Sequence, residues 1–388
     1  MLEEPVVQHL YVHVPFCAKK CEYCAFYSEA ADGALVNRYV DALTRELELI
    51  ASDLRPRTIF FGGGTPSLLN LRQWETILKT MNRLGLLGAR EWTVECNPAT
   101  VSLDKAKLLK DWGVNRISMG AQSFDENLLE RLGRVHSRAM IFKSFDTLRA
   151  AGFDNLNVDL MFALPGQTLA TWQETLVEAL ALGSEHLSCY EVIYEEDTPL
   201  FEQWKGGAAR VGEDLACAMY DELLTATAGA GFQQYEIANF ARHPGAGPAE
   251  LPDRCCQHNV NYWRGGSFYG AGPSAAGYVR GARTRNWANT ALYCGQLEQG
   301  RRAIECSEEL PPLARAGELA AFGLRMTAGW PLEQFRQRTG FDLPEEWREE
   351  IKRMVDLGYG ELNAQDFHLT KQGLRFADWA GAEFLRSG

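Results

Sequence analysis

Three cysteines lie close together near the start of the chain, in the run Cys17-Ala-Lys-Lys-Cys21-Glu-Tyr-Cys24, directly after the apolar residues 10–14. Thiolates are the ligands that hold iron–sulfur clusters in proteins. Because three ligands in one short loop can bind only three of the four irons of a [4Fe–4S] cluster, the fourth iron keeps an open position for a small chelating molecule. We therefore predict that Cys17, Cys21 and Cys24 are cluster ligands.

Two other uses of these cysteines are compatible with the spacing. Together with His13 they could form a Cys3His zinc site, or they could be ordinary thiols, since the chain has 10 cysteines in all. Disulfides are not expected, because the cysteines are unpatterned and no apolar signal segment is present, which indicates a cytoplasmic protein. Five other cysteines are expected to be small buried hydrophobes: Cys96, Cys189, Cys217, Cys294 and Cys306.

Composition limits the class of protein. The 388 residues are 46% hydrophobic and 23% charged, which suits one large core with a smaller domain. A net charge of −12 opposes binding to nucleic acid. No run of 18 apolar residues occurs, so we expect no transmembrane segment and at most peripheral membrane contact. With the Gly- and Pro-rich stretch 243–252 as a boundary, we predict three units, 1–240, 241–309 and 310–388.

Short apolar or β-branched runs alternate with amphipathic stretches in the first half of the chain. We predict strands at 11–14, 58–61, 92–95, 116–119, 156–160 and 187–192. Helices are predicted at 35–50, 71–84, 105–112, 139–151 and 169–182. This alternation predicts an α/β fold with parallel strands and outer helices, a partial (β/α)6 barrel. In such barrels the chemistry lies at the carboxyl ends of the strands.

Candidate binding residues occur at those strand ends: Gly63, Gly64, Thr65, Glu95, Gln122, Arg134 and Asp159. Glycines allow a ligand to approach the backbone, although a tight turn also explains a glycine triplet. The guanidinium of Arg134 suits a carboxylate, and Asp159, within a buried strand, needs a partner. Glu95 and Gln122 suit hydroxyls or charged groups, with solvated surface as the alternative.

These motifs, in this order, resemble the oxygen-independent coproporphyrinogen III oxidase superfamily of radical S-adenosylmethionine (SAM) proteins. The matching elements are Tyr11-Val-His-Val-Pro-Phe-Cys17, Gly62-Gly-Gly-Thr-Pro66, Glu95-Cys-Asn-Pro98, Gly120-Ala-Gln-Ser-Phe-Asp125, Gly133-Arg-Val-His136 and Asp159-Leu-Met-Phe-Ala-Leu-Pro-Gly-Gln167. The resemblance implies a radical SAM barrel with SAM on the open iron. It adds Tyr11 and Tyr23 to the cofactor-binding residues, and it implies an electron donor such as flavodoxin or ferredoxin if SAM is cleaved.

Two branches of that superfamily differ in sequence. The decarboxylating oxidases carry a further cysteine two residues beyond the third ligand, where this chain has Phe26. The HemW-like heme-chaperone branch carries a His-Asn-x-x-Tyr-Trp motif, present here as His258-Asn259-Val-Asn-Tyr262-Trp263. An imidazole can ligate heme iron and aromatic faces suit a porphyrin, whereas packing in a buried corner is the alternative for His258. Other possible iron ligands are Cys255, Cys256, His136 and His13.

The resemblance implies a heme chaperone that binds a [4Fe–4S] cluster, SAM and heme, and delivers heme to an acceptor protein. One departure is Ala276, in a glycine-rich stretch where the heme-chaperone branch usually has a histidine. This keeps open a radical SAM enzyme, either a coproporphyrinogen III dehydrogenase or a HemN-like methylase or ring-opening enzyme. A zinc-bearing scaffold for protein contacts is a third hypothesis.

The C-terminal segment resembles a small α+β winged helix. Helices are expected at 331–339 and 345–357, a hairpin at 360–363 and 367–370, and a last helix at 371–385. Residues 331–388 contain 8 Lys and Arg against 11 Asp and Glu, a balance that opposes DNA binding. A lid or a partner-docking role is the expectation for this unit.

Overall fold

The computed structural model describes residues 6–207, 210–243 and 251–386. Most of the predicted boundary loop 243–252 lies outside these ranges. The first half contains the strands β1 Val7–Val14, β2 Phe16–Cys17, β3 Glu29–Ala30, β4 Leu54–Gly63, β5 Glu91–Cys96, β6 Arg116–Gln122, β7 Leu156–Phe162 and β8 His186–Glu191. Its helices are α1 Gly33–Ile50, α2 Leu71–Arg83, α3 Leu103–Asp111, α4 Glu126–Arg131, α5 Arg138–Ala150 and α6 Leu169–Ala181.

The second half continues with shorter elements. Its helices are α7 Pro199–Lys205, α8 Glu213–Gly229, α9 Gln257–Trp263, α10 Thr290–Glu298, α11 Pro312–Gly323, α12 Leu332–Thr339, α13 Leu343–Glu346, α14 Arg348–Asp356 and α15 Ala377–Phe384. Its strands are β9 Phe232–Gln234, β10 Asn239–Arg242, β11 Tyr269–Ala271, β12 Ala276–Val279, β13 Ala282–Asn286, β14 Ile304–Glu309, β15 Trp330–Pro331, β16 Gly360–Leu362 and β17 Asp366–Leu369.

The main sheet has nine strands in the order β11-β1-β4-β5-β6-β7-β8-β10-β9. The strands from β11 to β8 are parallel neighbours, whereas β10 pairs antiparallel with β8 and with β9. The six predicted strands are all present, as β1 and β4 to β8. The edge strands were not predicted. The strand β11 is only three residues long and contains a glycine, so its sequence shows no alternation that would indicate a strand.

Alternation along each strand separates the barrel interior from the helical layer. In β6 the side chains of Ile117, Met119 and Ala121 are buried among apolar neighbours, whereas Arg116 and Ser118 line an interior cavity. A β-strand sends successive side chains to opposite faces. The helices cover the apolar face, and polar side chains therefore collect inside the barrel.

The C-terminal segment has an apolar cluster of its own, built around Trp330, Phe335, Trp347 and Phe367. The expected order of helices and hairpin is present, with β15 as a third strand beside β17. The helix expected at 345–357 is split at Trp347, whose backbone leaves the helical region at φ −116° and ψ 36°. Its buried indole N–H donates to the Phe384 carbonyl at 2.8 Å, and this contact ties the break to the last helix.

The prediction that five cysteines outside the Cys17–Cys24 loop are buried is confirmed only in part. Cys96, Cys189 and Cys294 are buried, whereas Cys217 and Cys306 are exposed. The prediction was wrong for these two because Cys217 lies on the outer face of α8 and Cys306 lies on the exposed strand β14. Among the described residues, no helix is both long and apolar enough to cross a membrane.

A buried carboxyl on α1 holds the second half of the chain against the barrel. Glu46 is completely buried. It accepts hydrogen bonds from the backbone N–H of Gly272 at 2.8 Å, from the Asn286 amide at 2.9 Å and from the Tyr293 hydroxyl at 2.7 Å. Gly272 has φ +98° and lies against the His13 carbonyl, so only glycine fits there. Glu46 thus fixes the loop that follows β11.

Replacing Glu46 with alanine is expected to reduce the free energy of unfolding by about 3–5 kcal/mol, because three buried donors lose their acceptor. Glu48→Ala is the matched control on the same helix. It removes only an exposed ion pair with Arg83 and is expected to cost less than about 1 kcal/mol. Equal effects of the two variants in urea unfolding would contradict this role of Glu46.

Candidate cofactor and ligand cavity

One cavity of about 870 Å³ occupies the barrel interior and opens at the carboxyl ends of the parallel strands. Residues of α9, β12, β13 and α11 close its far side. All the site residues proposed from sequence line it except His258: Tyr11, Cys17, Cys21, Tyr23, Cys24, Gly63, Gly64, Thr65, Glu95, Gln122, Arg134, Asp159, Asn259, Tyr262 and Trp263.

The cysteine loop leaves β2 at the rim of the cavity, and its three thiols are half-buried. The Thr65 hydroxyl lies 3.6 Å from the sulfur of Cys17, and an Arg134 N–H donates to the sulfur of Cys21 at 3.5 Å. Within the described residues, no three Cys, His, Asp or Glu side chains are grouped tightly enough for a single metal ion.

His13 is not placed to complete a Cys3His zinc site. Its Nε2 bonds to the Tyr27 carbonyl at 2.9 Å and its Nδ1 to the Tyr11 hydroxyl at 3.0 Å. Because a carbonyl only accepts, Nε2 carries the proton and Nδ1 accepts from Tyr11. Both nitrogens are therefore used, and neither is available to a metal beside the cysteine loop. The same contacts remove His13 from the possible heme ligands.

The glycine turn after β4 is attached to the chain segment that carries the first cysteine. Gly64 N–H donates to the Val14 carbonyl and Thr65 N–H to the Phe16 carbonyl, both at 2.8 Å. Gly63 has φ +103° and lies against the ring of His13, so a Cβ would clash at this position. Packing alone therefore requires the glycines, as the tight-turn alternative predicts. Their lining of the cavity leaves their backbone open to a ligand as well.

Two carboxyl groups with raised proton affinity lie inside the cavity. Burial, with the nearby negative charge of Asp159, raises the pKa of the Glu95 carboxyl to about 8. Burial also raises the pKa of Asp159, although Asn157 donates to it at 2.6 Å and Ser118 at 3.3 Å. Glu95 additionally accepts the Gly63 N–H at 3.1 Å. The cavity is thus suited to ammonium and hydroxyl groups.

Arg134 and Gln122 lie on the cysteine side of these carboxyl groups. The Arg134 guanidinium donates to the Gly120 carbonyl at 2.5 Å and to the sulfur of Cys21. These contacts hold the guanidinium beside the cysteine loop. Gln122 has φ 68°, an uncommon conformation for a residue other than glycine. Strain of this kind concentrates at functional sites. The pair suits a ligand that carries a carboxylate beside the cysteine loop.

His258 is the exception among the residues proposed from sequence. It is completely buried and does not line the cavity. Its Nδ1 bonds to the Thr58 hydroxyl and its Nε2 to the Tyr262 hydroxyl, both at 2.7 Å. Both nitrogens of this imidazole are hydrogen-bonded within the protein, which favours the packed-corner alternative over ligation of heme iron. The role of His258 toward heme stays a prediction.

The other aromatic residues of the motif form the far wall of the cavity. Tyr262 packs on Phe268 with ring centroids 4.5 Å apart, and Trp263 packs on Phe322 at 6.4 Å. Together with Phe60 they present flat apolar surface, which suits a planar ligand. Among the remaining candidate ligands, Cys255, Cys256 and His136 are buried outside the lining.

Three further positions bear on the site. Ala276 lines the cavity with only a methyl group, so the chain offers no iron ligand there. Phe26 lies at the mouth and is 69% exposed. Arg116, which sequence analysis did not single out, lines the interior although it is 2% exposed. The available signal was an arginine at the inward-facing first position of an otherwise apolar strand.

Comparison with known proteins places the chain in a family. Residues 11–179 match the radical SAM superfamily and residues 310–376 match the HemN C-terminal domain. The heme chaperone HemW of Bacillus subtilis is 34% identical over 381 residues, covering 97% of this chain and 98% of that protein. The chain belongs to the HemW family. The Escherichia coli HemW is likewise 34% identical over 377 residues, covering 95% of each chain.

The fold has a close structural counterpart. Coproporphyrinogen III oxidase (HemN) from Escherichia coli superposes with a TM-score of 0.82 at 22% identity, covering 99% of this chain and 91% of that one. The predicted fold class, a partial radical SAM barrel with a smaller C-terminal α+β domain, is confirmed. The exact unit boundaries at 240/241 and 309/310 stay predictions.

Stability is expected to fall with rising pH because of Glu95. Its pKa in the folded chain is about 8 against 4.5 for an exposed glutamate, so between these values the folded state binds a proton that the unfolded state has lost. Glu95 therefore adds most to the free energy of unfolding at low pH, and its contribution disappears as the pH rises through 8. Chemical denaturation of cluster-free protein between about pH 5 and pH 9 should show a steeper decline for wild type than for Glu95→Gln. Parallel curves would contradict the shift.

Removal of the His258 side chain is expected to act on stability, because two hydroxyl groups lose their partner and a void is left. His258→Ala should reduce the free energy of unfolding by about 2–5 kcal/mol. His368→Ala is the control; its ring pairs with Asp366 and is partly exposed, so about 1 kcal/mol or less is expected. An unfolding free energy equal to wild type for His258→Ala would show that the corner tolerates the loss.

Proposed function

We propose that the chain is a heme chaperone that binds a [4Fe–4S] cluster, SAM and heme, and delivers heme to an acceptor protein. The observation that carries the proposal is the shared cavity. The cysteine loop and Arg134 line one side of it, and Tyr262 and Trp263 of the family motif line the other. Two ligands of different chemistry can therefore lie in contact in one site.

Cys17, Cys21 and Cys24 are the cluster ligands in this proposal, and the strand-end residues hold SAM. Support comes from the thiols at the cavity rim and from Arg134, whose guanidinium contacts Cys21 and can reach a carboxylate beside it. Gly63, Gly64 and Glu95 are available to the ammonium and ribose groups. A bound cluster with SAM supplies one-electron chemistry at the sulfonium. A flavodoxin or ferredoxin is needed only if that chemistry occurs.

Heme lies against the aromatic wall in this proposal, with Asn259 at its edge. Apolar ring faces at Tyr262 and Trp263 favour a macrocycle. His258 holds Tyr262 through a 2.7 Å hydrogen bond, so it acts on heme by positioning that ring. The relatives named heme chaperone HemW align over nearly their whole length, which supports transfer to an acceptor, and we infer that this occurs in the cytoplasm.

A radical SAM enzyme acting on a tetrapyrrole is the second candidate. The observation in its favour is that the cavity keeps two carboxyl groups, Glu95 and Asp159, beside the proposed SAM position. Such groups can bind and exchange protons with a substrate. Phe26 at the position of the further cysteine argues against the decarboxylating oxidases.

Changing any one of Cys17, Cys21 and Cys24 to alanine is expected to remove most of the iron and acid-labile sulfide from anaerobically reconstituted protein, because three thiolates hold the cluster. Cys306→Ala, an exposed cysteine away from the cavity, is the control and should keep full iron. A triple cysteine variant with full iron and sulfide would refute the cluster assignment.

Arg134→Ala should keep the cluster and weaken SAM binding by about 1.5–3 kcal/mol in calorimetry.

Hemin titration of the same sample tests heme binding. Trp263→Ala is expected to weaken hemin by about 1–3 kcal/mol through lost apolar contact, while Trp204→Ala, outside the cavity, should not. His258→Ala should leave the axial-ligand spectrum unchanged, since that imidazole does not face heme.

With reductant and SAM, sustained conversion of coproporphyrinogen III to protoporphyrinogen IX would favour the enzyme instead. Lack of saturable hemin binding would refute the chaperone.

A further inference from the structure

Arg116 is a buried cation that the proposed cluster and SAM sites do not use. Its side chain lines the cavity although the residue is 2% exposed. The structure shows one hydrogen bond from its guanidinium, to the Thr93 hydroxyl at a long 3.5 Å, and its Nε has no partner within the described residues. Burial of a guanidinium without an anion is costly. The geometry therefore indicates an anion that the protein itself does not supply.

The nearest acidic side chains are committed to other donors. Glu91 accepts the backbone N–H groups of Gln257 and His258, both at 2.9 Å, and so anchors α9. Asp159 accepts from Asn157 and Ser118. Both carboxyl groups attract Arg116 through space, but neither forms an ion pair with it among the residues that the structure describes. Their negative charge favours the guanidinium in the interior, while its N–H groups remain available to an anionic ligand.

Position along β6 separates Arg116 from the proposed SAM site. Arg116, Ser118, Gly120 and Gln122 alternate on the face that lines the cavity. Arg134 contacts the carbonyl of Gly120, four residues from Arg116, which is about 13 Å at about 3.3 Å per residue. Arg134 thus contacts the carboxyl end of β6, whereas Arg116 is the first residue of that strand. The cavity therefore offers two carboxylate sites, one at the cluster and one deep in the barrel.

We propose that Arg116 binds a carboxylate of the second ligand of this cavity, which is a heme propionate if the proposed function holds. Guanidinium groups match carboxylates with two parallel hydrogen bonds. The aromatic wall at Phe60 and Tyr262 belongs to the same cavity, so a macrocycle can pack there while one acidic arm extends toward β6. Arg116 then fixes the orientation of the tetrapyrrole and distinguishes it from macrocycles without acidic arms.

The test compares hemin with hemin dimethyl ester, whose propionates carry no charge. Wild type is expected to bind the free acid at least about tenfold more tightly than the ester, the effect of a charge-assisted hydrogen bond. Arg116→Met should bind both forms alike. Arg149→Met, which removes a cation paired with Glu185 outside the cavity, should keep the wild-type ratio. Cluster content and circular dichroism check the fold of each variant.

Arg116→Lys is the second variant, in case the neutral side chain prevents folding. Lysine keeps the charge and loses the planar fork, so the acid-to-ester ratio should fall to an intermediate value, and an unchanged ratio contradicts the proposal. Equal binding of acid and ester by wild type, or a preference that survives in Arg116→Met, overturns the Arg116 site alone. Weaker SAM binding by Arg116→Met with an unchanged hemin ratio assigns the residue to SAM instead. Absence of saturable hemin binding overturns the proposed function together with this inference.

Discussion

The parallel register of β1 and β4 is the constraint on which the site depends. Val14 lies opposite Gly63 in this pairing, and the next N–H, that of Gly64, donates to the Val14 carbonyl. This contact stacks the start of the cysteine loop on the glycine turn. The later parallel strands add polar side chains to the same cavity, among them Glu95 from β5 and Asp159 from β7. A change of one residue in register would turn these side chains toward the helices.

Hydrogen bonds to uncharged partners hold the ionisable side chains Asp159, Glu95 and Arg134 inside the barrel. Asp159 rests on neutral donors, and Glu95 accepts a backbone N–H. Arg134 contacts a carbonyl and a thiol. Because a buried pair in direct contact would neutralise itself, keeping the charges apart leaves each available to a ligand. Glu46 on α1, in contrast, is completely buried outside the cavity and accepts three hydrogen bonds from the protein itself.

Sequence could predict much of this structure because its signals are local. The six barrel strands, their helices and the strand-end motifs follow from alternation and from short motifs. Other features depend on distant partners. The strand β11 exists because β1 offers a free edge, and the helix break at Trp347 follows from a contact with Phe384. Arg116 stands out in sequence only as an arginine at the start of a strand, and the folded barrel is needed to show that its side chain faces the cavity.

In the His258 motif, the imidazole is hydrogen-bonded to a neighbouring aromatic residue and does not line the cavity. His258 and Tyr262 are one helical turn apart, so their side chains meet on one face of α9, where the imidazole bonds to the phenol. Glu91 holds the start of the same helix through two backbone N–H groups. The imidazole therefore stabilises the orientation of Tyr262 in the wall of the cavity, and in the proposed function it acts on heme through that ring. A polar residue can define a binding site by fixing its neighbour without touching the ligand.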